Sequence, residues 1–380
     1  MATKKRSHVD EPGGAGAAGA GREVLSLDEI IGQEAAVRTL RSALSGGRLH
    51  HAWIFSGPQG VGKFTTAVAF AAMLLDTDLS ADLAGRLASD PDGATQRLMR
   101  AGTHPDFHVV TKELARVSRN DRVRDQKQIS IPKEVVEEFL TEPASRTRVR
   151  IGESIAGKVF IIDEAELLNA ASQNVLLKTL EEPPAGTVIV LVTSIEDRLL
   201  PTIRSRCQRV QFSPLSDGRM RGWMKREGMS VGADEEQWLV RFGAGAPGMV
   251  RLALEHELLK WDESLRPLLS GAEEGRYAVQ FGPTMHHLVD GQAAAWVKRY
   301  PEASKDAANK AWARRLLGYL GEHYRGRLSA SASGTGGPGV GRCVSSIDAI
   351  AQAEEELGTN VNMQFVFENL AVRLCAERRS

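Results

Sequence analysis

The stretch that most limits what this chain can become is Trp53 to Leu75, WIFSGPQGVGKFTTAVAFAAMLL. Trp53-Ile54-Phe55 reads as a buried strand that breaks at Gly57. Gly62-Lys63 comes next, and then a helix that is apolar nearly all round. Strand, glycine loop and helix in this order are the setting of a phosphate-binding loop. Gly57, Gly60 and Gly62 let the backbone turn its N–H groups toward phosphate oxygens. The helix N-terminus adds the positive end of its dipole, and Lys63 adds a formal charge. The strict pattern places Ser or Thr after the lysine. Here Phe64 stands there, and Thr65 comes one residue later, about 100° round the helix. The phosphate cradle is expected, with its magnesium-ligating hydroxyl displaced. Mg2+ keeps several of its waters, so the loss weakens metal binding without forbidding it. ATP and Mg2+ binding that is weak or vestigial, with hydrolysis slow or absent, is the expectation.

A second buried run, Lys158-Val-Phe-Ile-Ile162, ends in Asp163-Glu164. Its uninterrupted apolar residues indicate a parallel strand covered on both faces. The C-terminal end of such a strand is where open α/β sheets bind ligands. Asp163 is placed to hold Mg2+ through water, and Glu164 to orient or deprotonate an attacking water. Without the glycine loop upstream, the same pair would read as a solvated strand end. Thr187–Thr193 is a further buried strand, and Thr193 or Ser194 at its end can sense a γ-phosphate. Phe107–Thr111 and the edge strand Val210–Phe212 complete the set. Strands alternating with helices give an α/β domain, a parallel sheet with helices on both faces, closing near residue 213.

The remainder is helical or irregular. Residues 1–22 are rich in Gly and Ala and read as a disordered leader. Ser26-Leu-Asp-Glu29 fits a capping box, and Val37, Leu40 and Leu44 share one helical face that Gly46-Gly47 stop. Residues 76–103 form a polar helical or loop insertion. Residues 112–150 hold ten Lys and Arg against seven acidic residues, either a surface near phosphates or DNA or a solvated helix–loop segment. Asn169 can cap a helix carrying Val175, Leu176 and Leu180, which Pro183-Pro184 end. After Pro214 the strand signal disappears. A loop is expected at Ser329–Gly341, and a last amphipathic helix on Met363, Val366, Phe367, Leu370, Ala371 and Leu374.

A chain of 380 residues holds two or three domains of ~100–150 residues each. The formal net charge is zero, so bulk electrostatics gives no argument for nucleic-acid binding by this chain alone. Cys207, Cys343 and Cys375 are too scattered for a disulfide framework or a metal pair, which points to a reducing cytoplasm. No run of eighteen apolar residues occurs, and Lys4-Lys5-Arg6 lead into Gly and Ala, so neither a membrane span nor a signal peptide is expected. His50-His51 lack further ligands nearby and are expected to be structural.

Several motifs occur together. They are Ile30-Ile-Gly-Gln-Glu34, His51-Ala-Trp-Ile-Phe-Ser-Gly-Pro58, His104-Pro-Asp106, Asn174-Val-Leu-Leu-Lys-Thr-Leu-Glu-Glu-Pro-Pro184, Leu200-Pro-Thr-Ile-Arg-Ser-Arg-Cys-Gln208 and Asn360-Val-Asn-Met-Gln364. The chain thereby resembles the clamp-loader branch of the AAA+ ATPases, and within it the delta-prime family of bacterial DNA polymerase III subunits. The resemblance covers about residues 24–280 and 345–375. It implies an AAA+ P-loop domain at 23–213, a small helical lid at 214–258 and an all-α collar at 259–380. It implies a place beside gamma/tau and delta subunits in a pentameric loader, with the sliding clamp and primed DNA reached through the complex, and no membrane. Ser205-Arg206-Cys207 matches the family's SRC motif, so the resemblance gives Arg206 the role of an arginine finger offered to a neighbour's nucleotide. Arg204 lies in the same short basic segment. Glu164 is then vestigial.

Three departures sharpen this. Members often carry four zinc-binding cysteines after the P-loop helix, whereas residues 76–106 contain none, so no zinc is expected. Phe64 replaces the hydroxyl residue of active motors. Gly248 stands where active motors have a lid arginine, with Arg251 one helical turn on. A structural, finger-donating subunit is the leading expectation. A working ATPase of gamma/tau type is the alternative, and an unrelated AAA+ helicase or repair ATPase that self-assembles is the third.

Overall fold

The computed structural model describes residues 24–46, 49–81, 87–125, 129–147, 149, 153–300, 303–333, 339–359 and 361–376. The expected leader 1–22, residues 82–86 of the polar insertion, residues 334–338 of the expected loop and Asn360 lie outside the described residues. The chain divides into two compact units, Met1–Met229 with Gly245–Met249, and Ser230–Ala244 with Val250–Ser380.

The first unit is built on a sheet. Its strands in chain order are β1 (Ala52–Ser56), the two-residue pair β2 (Ser80–Ala81) and β3 (Leu87–Ala88), β4 (Phe107–Val110), β5 (Lys158–Ile162), β6 (Thr187–Thr193) and β7 (Gln208–Gln211). β2 and β3 pair only with each other, antiparallel. The other five form one parallel sheet in the order β4-β5-β6-β1-β7. Side chains alternate between its faces. Trp53 and Phe55 of β1 join Val159, Ile161, Val188, Val190, Val210 and the P-loop helix Lys63–Leu74 in one apolar layer. Ala52 and Ile54 join Phe160, Ile162, Ile189, Leu191 and helix Ala170–Glu181 in the other. The doubly covered α/β architecture results from these continuous apolar strands, because each needs cover on both sides.

The edge strand β7 starts at Gln208, two residues before Val210, where the apolar signal begins. Gln208, Arg209 and Gln211 are exposed at the sheet margin, so their polarity hides a strand that backbone pairing with β1 secures. The capping box is present, with the Ser26 N–H and hydroxyl donating to Glu29 at 2.7 and 2.9 Å. It closes a single 3-10 turn, Leu27–Glu29, and the helix begins separately at Glu34. Gly32 at φ 76° interrupts the two, and any Cβ there would lie 2.7 Å from Leu215 Cγ. Asn169 caps its helix by accepting from the Ser172 N–H.

In residues 112–150 several cations are paired locally, Arg119 with Glu142 at 3.0 Å and Arg124 with Asp121. A helix runs from Lys133 to Ser145 with a π-turn at Glu137–Thr141.

Among the described residues the second unit is helical throughout. Its main helices are Ala233–Gly243, Leu259–Glu273, Phe281–Arg299, Lys305–Ala332, Val340–Leu357 and Met363–Cys375. Trp261, Trp312, Phe281, Tyr324 and Phe367 are fully buried in it. The Tyr319 hydroxyl donates to Asp262 at 2.5 Å, and Glu273 accepts from His323 at 2.8 Å and Arg327 at 2.6 Å. The expected loop Ser329–Gly341 is shorter than its composition indicates. Ser329–Ala332 complete the long helix and Val340 starts the next, since Ser and Ala extend a helix already in place at small cost. No helix among the described residues is long and apolar enough to cross a membrane.

Candidate functional site

The P-loop leaves β1 through Gly57. A Cβ at Gly57 would fall 2.3 Å from the Phe212 carbonyl oxygen, so the loop can pass β7 only as glycine. Gly62 at φ 101° caps the helix that begins at Lys63. The Lys63 amino group turns back into the loop. It donates to the carbonyls of Gly57 and Pro58, both at 2.6 Å, and to Ser194 Oγ at 3.2 Å. Burial pushes its pKa down to about 8, against the opposing pull of Glu166 and Asp163. Phe64 packs into the apolar layer that the P-loop helix helps to form. Thr65 is partly exposed on the next helical position.

Gly60, at φ 79°, accepts from the Gly248 N–H at 2.9 Å. A Cβ at Gly248 would lie 2.9 Å from Gly60 Cα. The position that carries the lid arginine in active motors, by the clamp-loader resemblance, thus has no room for a side chain. Gln33, from the Ile30–Glu34 motif, ties this region together. Its amide donates to the carbonyls of Val61 at 3.2 Å and Ser213 at 2.8 Å, and accepts from the Ser213 N–H at 3.2 Å.

Asp163 and Glu164 come directly after β5 at the same end of the sheet. Asp163 Oδ1 accepts from the Glu164 N–H at 3.0 Å. Glu164 adopts a left-handed backbone, φ 49°, and its carboxylate lies 2.7 Å from Lys112 Nζ. Burial holds its pKa above the usual carboxylate range despite that lysine. Of the two hydroxyl residues at the end of β6, Ser194 meets Lys63, while Thr193 Oγ1 accepts from the Ile195 N–H at 3.1 Å.

Lys112 and Glu166 escape the sequence reading. Glu166 Oε1 accepts from the Ser194 N–H at 3.2 Å and so links β5 to β6 beside the lysine. The signal for Glu166 is the spacing Asp163-Glu164-Ala165-Glu166, which the 3-10 turn Ala165–Leu167 curls back toward the sheet end.

Arg206 and Arg204 sit just before β7. The Arg206 guanidinium donates to the Thr202 carbonyl at 3.0 Å and pairs with Glu181 at 2.7 Å. Arg204 pairs with Asp197 at 2.7 Å. Burial pushes the thiol of Cys207 beside them up to about 12 and leaves it unreactive. His50 and His51 stack at 4.7 Å. His51 Nε2 lies 3.0 Å from the Leu180 carbonyl, and the Trp53 indole donates to the His50 carbonyl at 2.8 Å.

The backbone of this site suits a phosphate, since Lys63 and the loop have P-loop geometry. Phe64, which stands where the strict pattern has its magnesium-ligating hydroxyl, is packed in the core, and Glu164 is held by Lys112. Among the described residues no group of three or more His, Cys, Asp or Glu side chains could hold a metal ion.

Residues 32–216 match the family model described as DNA polymerase III, delta subunit. The DNA polymerase III subunit delta' of Escherichia coli (strain K12) is 32% identical over 217 residues, 55% of this chain and 56% of that one. The subunit tau of Bacillus subtilis (strain 168) is 28% identical over 296 residues, 74% of this chain and 47% of that one. Residues 32–216 are thus similar to the module that clamp-loader subunits of DNA polymerase III share. The chain spans about half the length of these curated relatives. Both delta' and tau are among them, so relatedness alone does not choose between the two kinds of clamp-loader subunit. Among solved structures, the Thermotoga maritima RuvB Holliday junction branch migration motor aligns at a TM-score of 0.41 and 17% identity, over 77% of this chain and 89% of that one.

Proposed function

We propose that this chain is a delta-prime-type subunit of the DNA polymerase III clamp loader, a structural member that lends Arg206 to a neighbouring ATPase subunit. The state of the pocket supports this most directly. Gly248 closes against Gly60 where, by the clamp-loader resemblance, a motor would present an arginine. On this reading the partners are gamma/tau and delta subunits. The sliding clamp and primed DNA are met through the complex, in the cytoplasm. Residues 214–258 serve as the lid and 259–380 as the collar. ATP binding by the chain itself is weak or vestigial.

A second reading, a working gamma/tau-type ATPase, has the longer alignment to tau in its favour. Steady-state phosphate release separates the two. The isolated chain should show negligible turnover, with or without primed DNA. DNA-stimulated turnover at the rate of a motor subunit would overturn the first reading. In light scattering the chain should be a monomer that assembles only with its partners.

A further inference from the structure

Arg206 is not loose at the surface. One guanidinium nitrogen donates to the Thr202 carbonyl at 3.0 Å, and another lies 2.7 Å from Glu181 Oε1. Glu181 is the last residue of helix Ala170–Glu181. A carboxylate there faces the negative end of the helix dipole, the less favourable place for its charge. Arg206 offsets it. Both side chains are substantially open to water, 38% for Arg206 and 50% for Glu181. Exposed pairs of this kind hold weakly, by at most about fivefold in an equilibrium. Arg204 is already committed to Asp197. Each arginine of the segment therefore has its own carboxylate.

On the reading that Arg206 serves a neighbour's nucleotide, we infer that Glu181 is the residue that parks this finger in the free chain. Glu181 and the Thr202 carbonyl bias the guanidinium toward one orientation. A terminal phosphate on the adjacent subunit presents more charge than one carboxylate and takes two parallel N–H donors. It outcompetes Glu181 when the subunits dock, and the finger transfers. Glu181 is thus a positioning residue that sets how readily the finger leaves. It does not touch the nucleotide.

The test reconstitutes the loader from its motor and delta-type subunits and titrates in this chain while ATP turnover is monitored. Arg206→Ala tests the underlying reading. It should lower the maximal rate, and an unchanged rate removes the finger assignment whatever Glu181 does. Given that loss, Glu181→Gln tests the parking role. It should lower the half-saturating concentration of this chain by about two- to fivefold and leave the maximal rate unchanged. Glu181→Asp should behave as the parent. The advantage of Glu181→Gln should shrink as salt rises, because salt already weakens the parental pair. An unchanged half-saturation, or a fall in the maximal rate with Glu181→Gln, would overturn the proposal.

Discussion

The backbone N–H of Gly248 donates to the carbonyl of Gly60 across 2.9 Å, which sets the first turn of helix Pro247–Glu255 directly on the P-loop. No side chain fits between them, since a Cβ at Gly248 would approach Gly60 Cα to 2.9 Å. Gly248→Ala should therefore destabilise the chain by about 1–3 kcal/mol, as overpacking against backbone does. Thermal unfolding of the variant checks this. An unchanged melting temperature would mean that the P-loop yields freely.

Phe64→Thr restores the missing hydroxyl at the cost of a buried ring. We expect about 3 kcal/mol of lost stability, in line with truncation of a core phenylalanine. Phosphate release should stay at background, because Glu164 remains tied to Lys112. Measurable turnover in this single variant would show that the hydroxyl alone was limiting.

Lys112→Met removes the cation beside Glu164, 2.7 Å away. Burial already raises the Glu164 pKa, and the lysine is what restrains it, so the variant's pKa should rise further. A carboxyl whose folded pKa lies above its unfolded one contributes stability at low pH and loses it as pH rises through the folded value. The variant should thus lie closest to the parent in acid. It should fall behind by about 1–3 kcal/mol as pH climbs past the raised carboxylate range. Denaturant titrations at a series of pH values give the comparison.

Lys63 titrates near 8 in the folded chain against a usual 10.5. Between those values the unfolded chain binds the extra proton, so this group adds stability as pH rises through that window. The parent should gain on Lys63→Met between pH 8 and 10.5, as calorimetry of the two proteins would record. Pyrophosphate binding by the parent should weaken over the same range, as the amino group loses its charge.

Much of this architecture is readable in the chain because its signals are local. Four apolar residues before Asp163, glycines around Pro58, and Asn169 ahead of an apolar helix each fix their element within a few residues. The site's inner wiring is long-range and is not readable in this way. Lys112 reaches Glu164 across 52 positions, and only the adjacency of β4 and β5 joins them. Glu181 meets Arg206 because helix Ala170–Glu181 and the turn before β7 end on the same side of the sheet. Gly248 reads as a missing arginine in the chain, whereas in three dimensions it is a contact with Gly60. The capping box at Ser26 is legible as chemistry, yet its helical turn stops after three residues. Gly32 and its tight approach to Leu215 delay the full helix to Glu34, and that contact spans too much of the chain to be read locally.

β6 is flanked on both sides, by β1 and β5, whereas β7 has β1 on one side and, among the described residues, no strand on the other. In heavy water the amides of β6 would wait for the whole unit to open, and those of β7 would exchange by fraying. Lys63 thus rests against the part of the slab that surrenders last. Arg206 hangs from its softest seam, where a side chain meant to change hands can move without disturbing the rest.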